Sequence, residues 1–338
     1  MAVSLKDVAA VAGVSIKTVS NVVHDYPHVT PATRQRVLDA IESLGYRPNL
    51  SARNLRRGRT DLIALALPQL DAPYFAELAR FVIKAAEEQS WTVLIDQTDG
   101  LRDRELVAVQ GLGTNLVDGV LLSPLALGRD DLAEIRVDIP LVLLGELVSH
   151  GPACHVAIDN VAAARQAVDH LTGLGRRRVA AIGAQETAAG ETARLRQAGY
   201  EAALTAAGLP VVPELIASAD DFSRATGAAA MQALLALPDP PDAVFCFSDL
   251  LALGAVRTLY ERGLRVPDDV AVMGFDDIEE GAYSVPTLST VAPDKEQIAA
   301  EAVRTLAARV RGEEEEPREL TADHRLVLRE STLSCDAS

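Results

Sequence analysis

The chain has 338 residues, 49% of them apolar and 24% charged, which is too long for one ordinary domain and too apolar for a disordered chain. No run approaches the roughly eighteen apolar residues a membrane span needs, and the N-terminus lacks the basic start and apolar core of a secretory leader. Cys154, Cys246 and Cys335 are odd in number and far apart, which argues against a disulfide framework or metal cluster and fits a reducing cytoplasm. The net charge of −16 conceals an asymmetry: the first 60 residues hold nine Lys and Arg against four acids, net +5, and the remainder holds 23 against 44, net −21. A basic head on an acidic body puts the surface for a polyanion at one end.

In chain order, Ser4 with Asp7 three residues on makes a capping-box start. Leu5, Val8, Ala9 and Ala12 then form one apolar helical face, and Gly13 can take the left-handed conformation that ends helices. Ser15 caps a second helix whose inward face is Val19, Val22 and Val23. Two short helices about a Gly-containing turn form a helix-turn-helix. The second helix turns Lys17 and Asn21 outward, with Ile16, Thr18 and Ser20 beside them. Lys can donate to guanine, Asn can pair with adenine and an apolar side chain can touch the thymine methyl; short hydroxyls suit phosphate oxygens. A plain surface helix is the bland alternative for these residues alone. Thr30-Pro31 then supplies a cap and a proline at the first helical position. Val37, Leu38, Ile41 and Leu44 supply a third stripe, and Gly45 ends it. Residues 46–59 are a basic stretch with room for one short helix capped by Asn49.

LKDVAAVAGVS, KTVSNVV, VTPATRQRVLDAIESLGYRPN and ARNLRRGRT, in this order and spacing, resemble the lactose-repressor (LacI) family of bacterial transcription regulators. The resemblance implies a homodimer reading a near-palindromic double-stranded DNA operator through two major-groove helices. By position it assigns base reading to Ile16, Lys17 and Asn21. It assigns Ser15, Thr18, Ser20, Thr30, Thr33, Tyr46 and Asn49 to the phosphate backbone or the local fold. Leu55 matches a hinge-helix leucine that wedges into the minor groove, with Ser51, Ala52 and Arg56 around it. Asn21 departs from the Arg that many members carry, which shifts the preferred base from guanine towards adenine.

Past Thr60 apolar runs alternate with helical stretches. Strands are expected over 62–67, 92–95, 119–122, 141–144 and 156–158, and again over 179–182, 215–217, 243–247 and 270–275. Helices are expected over 75–88, 104–112, 192–207, 223–237, 250–263 and 295–311. This rhythm indicates βαβ units on parallel sheets covered by helices on both faces, with ligands beyond the carboxyl ends of the strands. AVDHLTGLGRRRVAAIG, ARLRQAGYEAAL, FSDLLALGAV, GLRVPDDVAVMGFDD and PTLSTV resemble the same family's effector core, similar in fold to periplasmic sugar-binding proteins. The expected class is α/β. An all-α helix-turn-helix domain (1–48) and a hinge helix or linker (49–60) precede a two-lobed effector-binding and dimerisation core (61–338). Its first lobe is about 61–160 and 292–320, its second about 161–291 and 321–332.

Carried over position by position, the resemblance implies that the effector is met by Tyr74, Phe75, Ser123, Arg194, Phe222, Ser248 or Asp249, and Asp276. Aromatic faces suit a ring, a guanidinium fork gives paired hydrogen bonds, and a carboxylate accepts from hydroxyls. The alternatives are core packing for Tyr74, Phe75 and Phe222, a surface pairing of Arg194 with Glu191 or Asp220, and capping of the next element by Asp276 or Asp277, of which Asp276 is read as ligand-facing and Asp277 as structural. Three positions depart from the family: Gly145-Glu146 where several sugar-responsive members carry Asp, Ser248 where Asn is frequent, and Pro293 where Gln is common. A carbohydrate is the leading effector class; a purine or other metabolite acting as corepressor is the alternative.

Walker A and G-x-S-x-G sequences are missing, Gly111-Leu112-Gly113 lacks a third glycine and a preceding strand, and the six His show no metal spacing. No enzyme, cofactor or metal is therefore expected. A periplasmic sugar-binding protein would carry a leader and lack the basic head, and a Rossmann-like enzyme would carry a phosphate loop. The C-terminal residues lack leucine heptads, so a dimer is expected rather than a coiled-coil tetramer. The expectation is a cytoplasmic, nucleoid-associated repressor without a membrane partner. Its effector would bias the helical order of a marginal hinge helix.

Overall fold

The computed structural model describes residues 3–23, 26–46, 59–112, 116–134, 139–146, 151–185, 190–313 and 316–333. The chain divides after Thr60 into two units.

The first unit contains α1 (Leu5–Ala12), α2 (Ile16–Val23) and α3 (Pro31–Leu44). Each start is capped by its own sequence. Ser4 and Asp7 exchange a capping box, the Ser15 hydroxyl accepts from the Thr18 amide at 3.1 Å, and Thr30 accepts from the Thr33 amide at 3.4 Å. Gly13 turns the chain between α1 and α2 with φ +63°, a conformation a β-carbon disfavours. Val8, Ala9, Ala12, Val19, Val22, Val37 and Ala40 form the small core, with Leu5, Val23, Ile41, Leu44 and Tyr46 packed against it. Leu38, expected in the third apolar stripe, is instead exposed on the far side of α3, and Ala40 takes the inward place. The hinge positions Asn49, Ser51, Ala52, Leu55 and Arg56 lie outside the described residues.

The second unit holds two six-stranded sheets. In the first lobe the chain forms β1 (Leu62–Leu67), α4 (Pro73–Glu88), β2 (Thr92–Gln97), α5 (Arg102–Val109), β3 (Gly119–Leu122), α6 (Arg129–Glu134), β4 (Leu141–Leu144) and β5 (Cys154–Ile158). The second lobe follows with α7 (Asn160–Gly173), β6 (Val179–Ala184), α8 (Glu191–Ala206), β7 (Ile216–Ser218), α9 (Arg224–Leu235), β8 (Ala243–Cys246), α10 (Asp249–Glu261), β9 (Ala271–Phe275), α11 (Glu279–Tyr283) and β10 (Ser289–Pro293). The chain then returns to the first lobe for α12 (Lys295–Val310) and β11 (Glu319–Ala322), and crosses back for β12 (His324–Val327). Strand orders are β11-β5-β4-β3-β1-β2 and β12-β10-β9-β8-β6-β7.

Strands β3, β4, β6, β8 and β9 are buried along their whole length, as parallel strands covered on both faces must be. The edge strand β2 exposes Thr92, Ile95 and Gln97. All described pairings are parallel except β10 with β12. The chain leaves the second lobe along β10 and re-enters it along β12, so the two must run in opposite senses. Three aspartates mark the crossings between lobes. Asp159 caps α7, Asp294 caps α12, and the Asp294 amide donates to the Asp323 carbonyl at 2.9 Å.

Candidate functional site

On α2 the cap and the buried Val19 and Val22 fix the rotation of the helix, leaving Ile16 and Lys17 fully outward, with Ser20 and Asn21 half-buried on its flank. Among the hydroxyls expected on phosphates, Ser15 and Thr18 lie 2.9 Å apart and Thr30 donates to Thr33 at 2.9 Å, so these side chains already serve the helix starts. Tyr46 packs on the small core and its amide donates to the Ile41 carbonyl at 3.0 Å.

In the second unit a cavity of about 340 Å³ lies between the two lobes. From the first lobe, Pro73 at the start of α4 sets Tyr74 and Phe75 into the wall, ring edge to ring face at 5.3 Å. Ser123 follows β3, and its loop is held by an unexpected device. The buried Glu105 carboxylate accepts the amides of Leu125, Ala126 and Leu127 at 2.8, 3.1 and 2.8 Å. From the second lobe come Phe222, Ser248, Asp276 and Arg196.

A polar chain crosses the cavity from lobe to lobe. Glu146, just past β4, accepts from Asn160 at 2.7 Å and from Thr192 of α8 at 2.7 Å. Asn160 in turn accepts from Arg196 Nε at 2.8 Å. The Arg196 guanidinium also donates to the Phe247 carbonyl, stacks 3.5 Å over the Phe275 ring, and stands 3.8 Å from the Asp276 carboxylate. A second tie runs nearby: the Glu77 carboxylate accepts from Lys295 and, at 3.1 Å, from the Glu279 amide of the opposite lobe.

Asp276 and Asp277 both have positive φ, 113° and 49°, at the end of β9. Two successive non-glycine residues in that region are strained, and such strain gathers at functional sites. The turn sends the two carboxylates apart: Asp276 into the cavity, Asp277 to Arg329 at 2.7 Å. Burial pushes the Asp276 carboxyl up to about 6, with Arg196 and Lys295 holding it down and Glu146 and Glu77 adding to the rise. Burial, followed by the Glu146 and Asp276 charges, raises the Tyr74 phenol far above its ordinary value.

A profile of "Bacterial regulatory proteins, lacI family" matches residues 4–49, and one of "Periplasmic binding protein-like domain" matches residues 168–332. The HTH-type transcriptional repressor CytR of Escherichia coli is 34% identical over 98% of this chain and 96% of its own. The HTH-type transcriptional regulator CelR of Thermobifida fusca is 38% identical over 97% of this chain and 98% of its own. The chain belongs to the LacI family. Among solved structures, the Lac repressor dimer bound to operator and an anti-inducer is similar at a TM-score of 0.88, with 27% identity, covering 99% of this chain and 100% of that one. A CelR–cellobiose complex is similar at 0.72, with 35% identity, covering 97% and 99%. This LacI-family chain is a DNA-binding transcription regulator under effector control, and its relatives are regulators rather than enzymes.

Within the LacI-type core, Tyr74, Phe75, Ser123, Phe222, Ser248 and Asp276 are brought together around one cavity, and two of the residues expected there are not. Arg194 is not part of the lining and pairs with Glu191 at 2.9 Å. The guanidinium in the cavity belongs to Arg196, two residues on. Asp249 is wholly buried behind the wall, its oxygens accepting from Thr290 at 2.7 Å and the Ile278 amide at 2.9 Å. Burial there, with Asp276 and Asp277 close by, raises its carboxyl well above the ordinary range. Asp249 is a structural strut. Ser248 borders the cavity while its hydroxyl caps α10, accepting from the Leu251 amide at 3.2 Å.

The signal for Arg196 was available in the sequence. The buried face of α8 runs Ala193, Arg196, Gly199, Tyr200, Ala203 and Leu204, a helical stripe that includes 196 and leaves 194 outside. Thr192 and Asn160 carried no such signal, because their importance comes from Glu146 reaching them across the cleft.

Proposed function

We propose that this regulator binds a near-palindromic operator as a homodimer, that Ile16, Lys17 and Asn21 read bases, and that a carbohydrate filling the cavity releases the DNA. It works in the cytoplasm, at the nucleoid. The observation that carries the effector reading is the lining. Aromatic rings of Tyr74, Phe75 and Phe222 border a space that also presents the acceptors Asp276 and Glu146 and the donor Arg196. Apolar ring faces with a few convergent hydrogen-bonding groups suit a hydroxyl-bearing ring. The similarity to a CelR–cellobiose complex supports the same class.

The test is selection of genomic DNA fragments by the purified full-length protein at fixed salt, repeated with a panel of sugars. Enrichment of a motif with two related half-sites, lost when one sugar is added, is the expected result. A motif that appears only in the presence of an added purine would replace release by corepression. No motif under any condition would remove the assignment of α2 as the reading helix.

A further inference from the structure

We propose that the cavity is charge-selective: it takes its carbohydrate in the unphosphorylated, uncharged form and rejects phosphate- or carboxylate-bearing sugars. This deepens the carbohydrate reading above and rests on it. The charges facing the cavity are five carboxylates, Glu146, Glu191, Asp220, Asp221 and Asp276, against one guanidinium, Arg196, among the described residues.

That one cation is also partly committed to the protein itself, with two of its five N–H groups already used. Arg196 spends its Nε on Asn160, donates to the Phe247 carbonyl, lies flat on Phe275 and faces the Asp276 carboxylate at 3.8 Å. The next ammonium, Lys295, is buried outside the lining and bound to Glu77 and to the Asp277 carbonyl at 3.0 Å. Glu191 is balanced by Arg194, which leaves the negative sign to Glu146, Asp220, Asp221 and Asp276.

The hydrogen-bonding sense agrees with the charge. Asp276 has a side chain only 14% exposed, and the cation nearest it stands at 3.8 Å, beyond hydrogen-bond distance. Its oxygens therefore have capacity for donors from the cavity. Glu146 is presented with one oxygen towards each of two neighbouring donors, Asn160 and Thr192, and keeps further lone pairs. Hydroxyl hydrogens of a neutral sugar satisfy such acceptors. A phosphate brings only acceptors and further negative charge into a space of low dielectric, where like charges disfavour binding by a factor of about 100 or more.

The experiment uses full-length protein and calorimetric or thermal-shift titration with matched pairs at equal ionic strength: cellobiose and its 6′-phosphate, glucose and glucose 6-phosphate, galactose and galactose 1-phosphate. In the pair that binds, the neutral sugar is expected to bind at least about 100-fold more tightly than its phosphate. A phosphate binding as well as its parent overturns the charge rule and leaves the carbohydrate reading standing. Silence from every pair, alongside an operator motif that no sugar releases, overturns the carbohydrate reading and with it the rule. Asp276→Asn should narrow the ratio at least about tenfold; an unchanged ratio removes Asp276 as a source of the selection.

Discussion

Asp276 illustrates a residue kept against the interest of the fold. Its carboxyl titrates at about 6 in the folded protein against 3.8 for the free group, so the folded state holds the proton more tightly than the unfolded chain does. Stability from this group is therefore lost as pH rises from about 4 to about 6, and the full cost is present above that window. Two units correspond to about 3 kcal/mol at most, with Arg196 already offsetting part of the desolvation. Asp276→Asn should stabilise the ligand-free protein at pH 7.5, measured by urea unfolding, with a gain that shrinks as the pH is lowered to 5. The same variant should respond weakly to effector. Loss of stability at pH 7.5 would show that the charge is held by more than Arg196 and Lys295. In the wild type, effector affinity should fall as pH drops below about 6, because a protonated Asp276 accepts fewer hydrogen bonds.

At the scale of the element, the helix faces decide both the site and the packing. Arg194 and Arg196 are separated by about 200° around α8, so only one can face the cavity. Arg196→Ala should abolish the effector response while operator binding persists, and Arg194→Ala should leave both intact; a lost response in the second would mean that α8 is rotated from the orientation described. Helices α9 and α10 cross through Gly227 and Gly254, where a β-carbon on Gly254 would run into the Arg224 carbonyl. Since backbone cannot yield as a side-chain tip can, Gly254→Ala should cost about 3 kcal/mol, read as a lower urea midpoint. An unchanged midpoint would show that the helix pair can separate freely.

The same faces explain what the sequence disclosed. Parallel strands such as 62–67 and 141–144 were legible because burial on both sides leaves an unbroken apolar run. Helix α7 was not, since its buried face of Asn160, Ala163, Ala164, Ala167, Val168 and Leu171 is half alanine and stands out weakly as an apolar stripe. Strand β12 was hidden as well: it is four residues long, mixes His324 and Arg325 with two apolar residues, and is defined by its partner β10 rather than by its own pattern. Within the site, aromatic and carboxylate positions after strands could be placed one by one. The bridge from Glu146 to Asn160 and Thr192 could not, because it exists only when two lobes built from distant segments face each other.

For the whole molecule, charge is the dividing quantity: net +5 in the first 60 residues and −21 in the rest. A polyanion is attracted by one part of the chain and repelled by the other, so affinity for DNA should be strongly salt-dependent and confined to the small unit. Lys17 separates the two kinds of contact within that unit. It is exposed on α2 one residue past Ile16, where an ammonium can meet either a base edge or a phosphate. If it reads a base, Lys17→Ala should cost roughly 1–3 kcal/mol on the selected operator and much less on random DNA, with the dependence of log K on log salt nearly unchanged. If it meets a phosphate, the loss should be equal on both DNAs and the salt slope should fall by about one. Fluorescence-anisotropy titrations of wild type and variant against both DNAs at several salt concentrations distinguish these outcomes, and equal losses would remove Lys17 from the base-reading set.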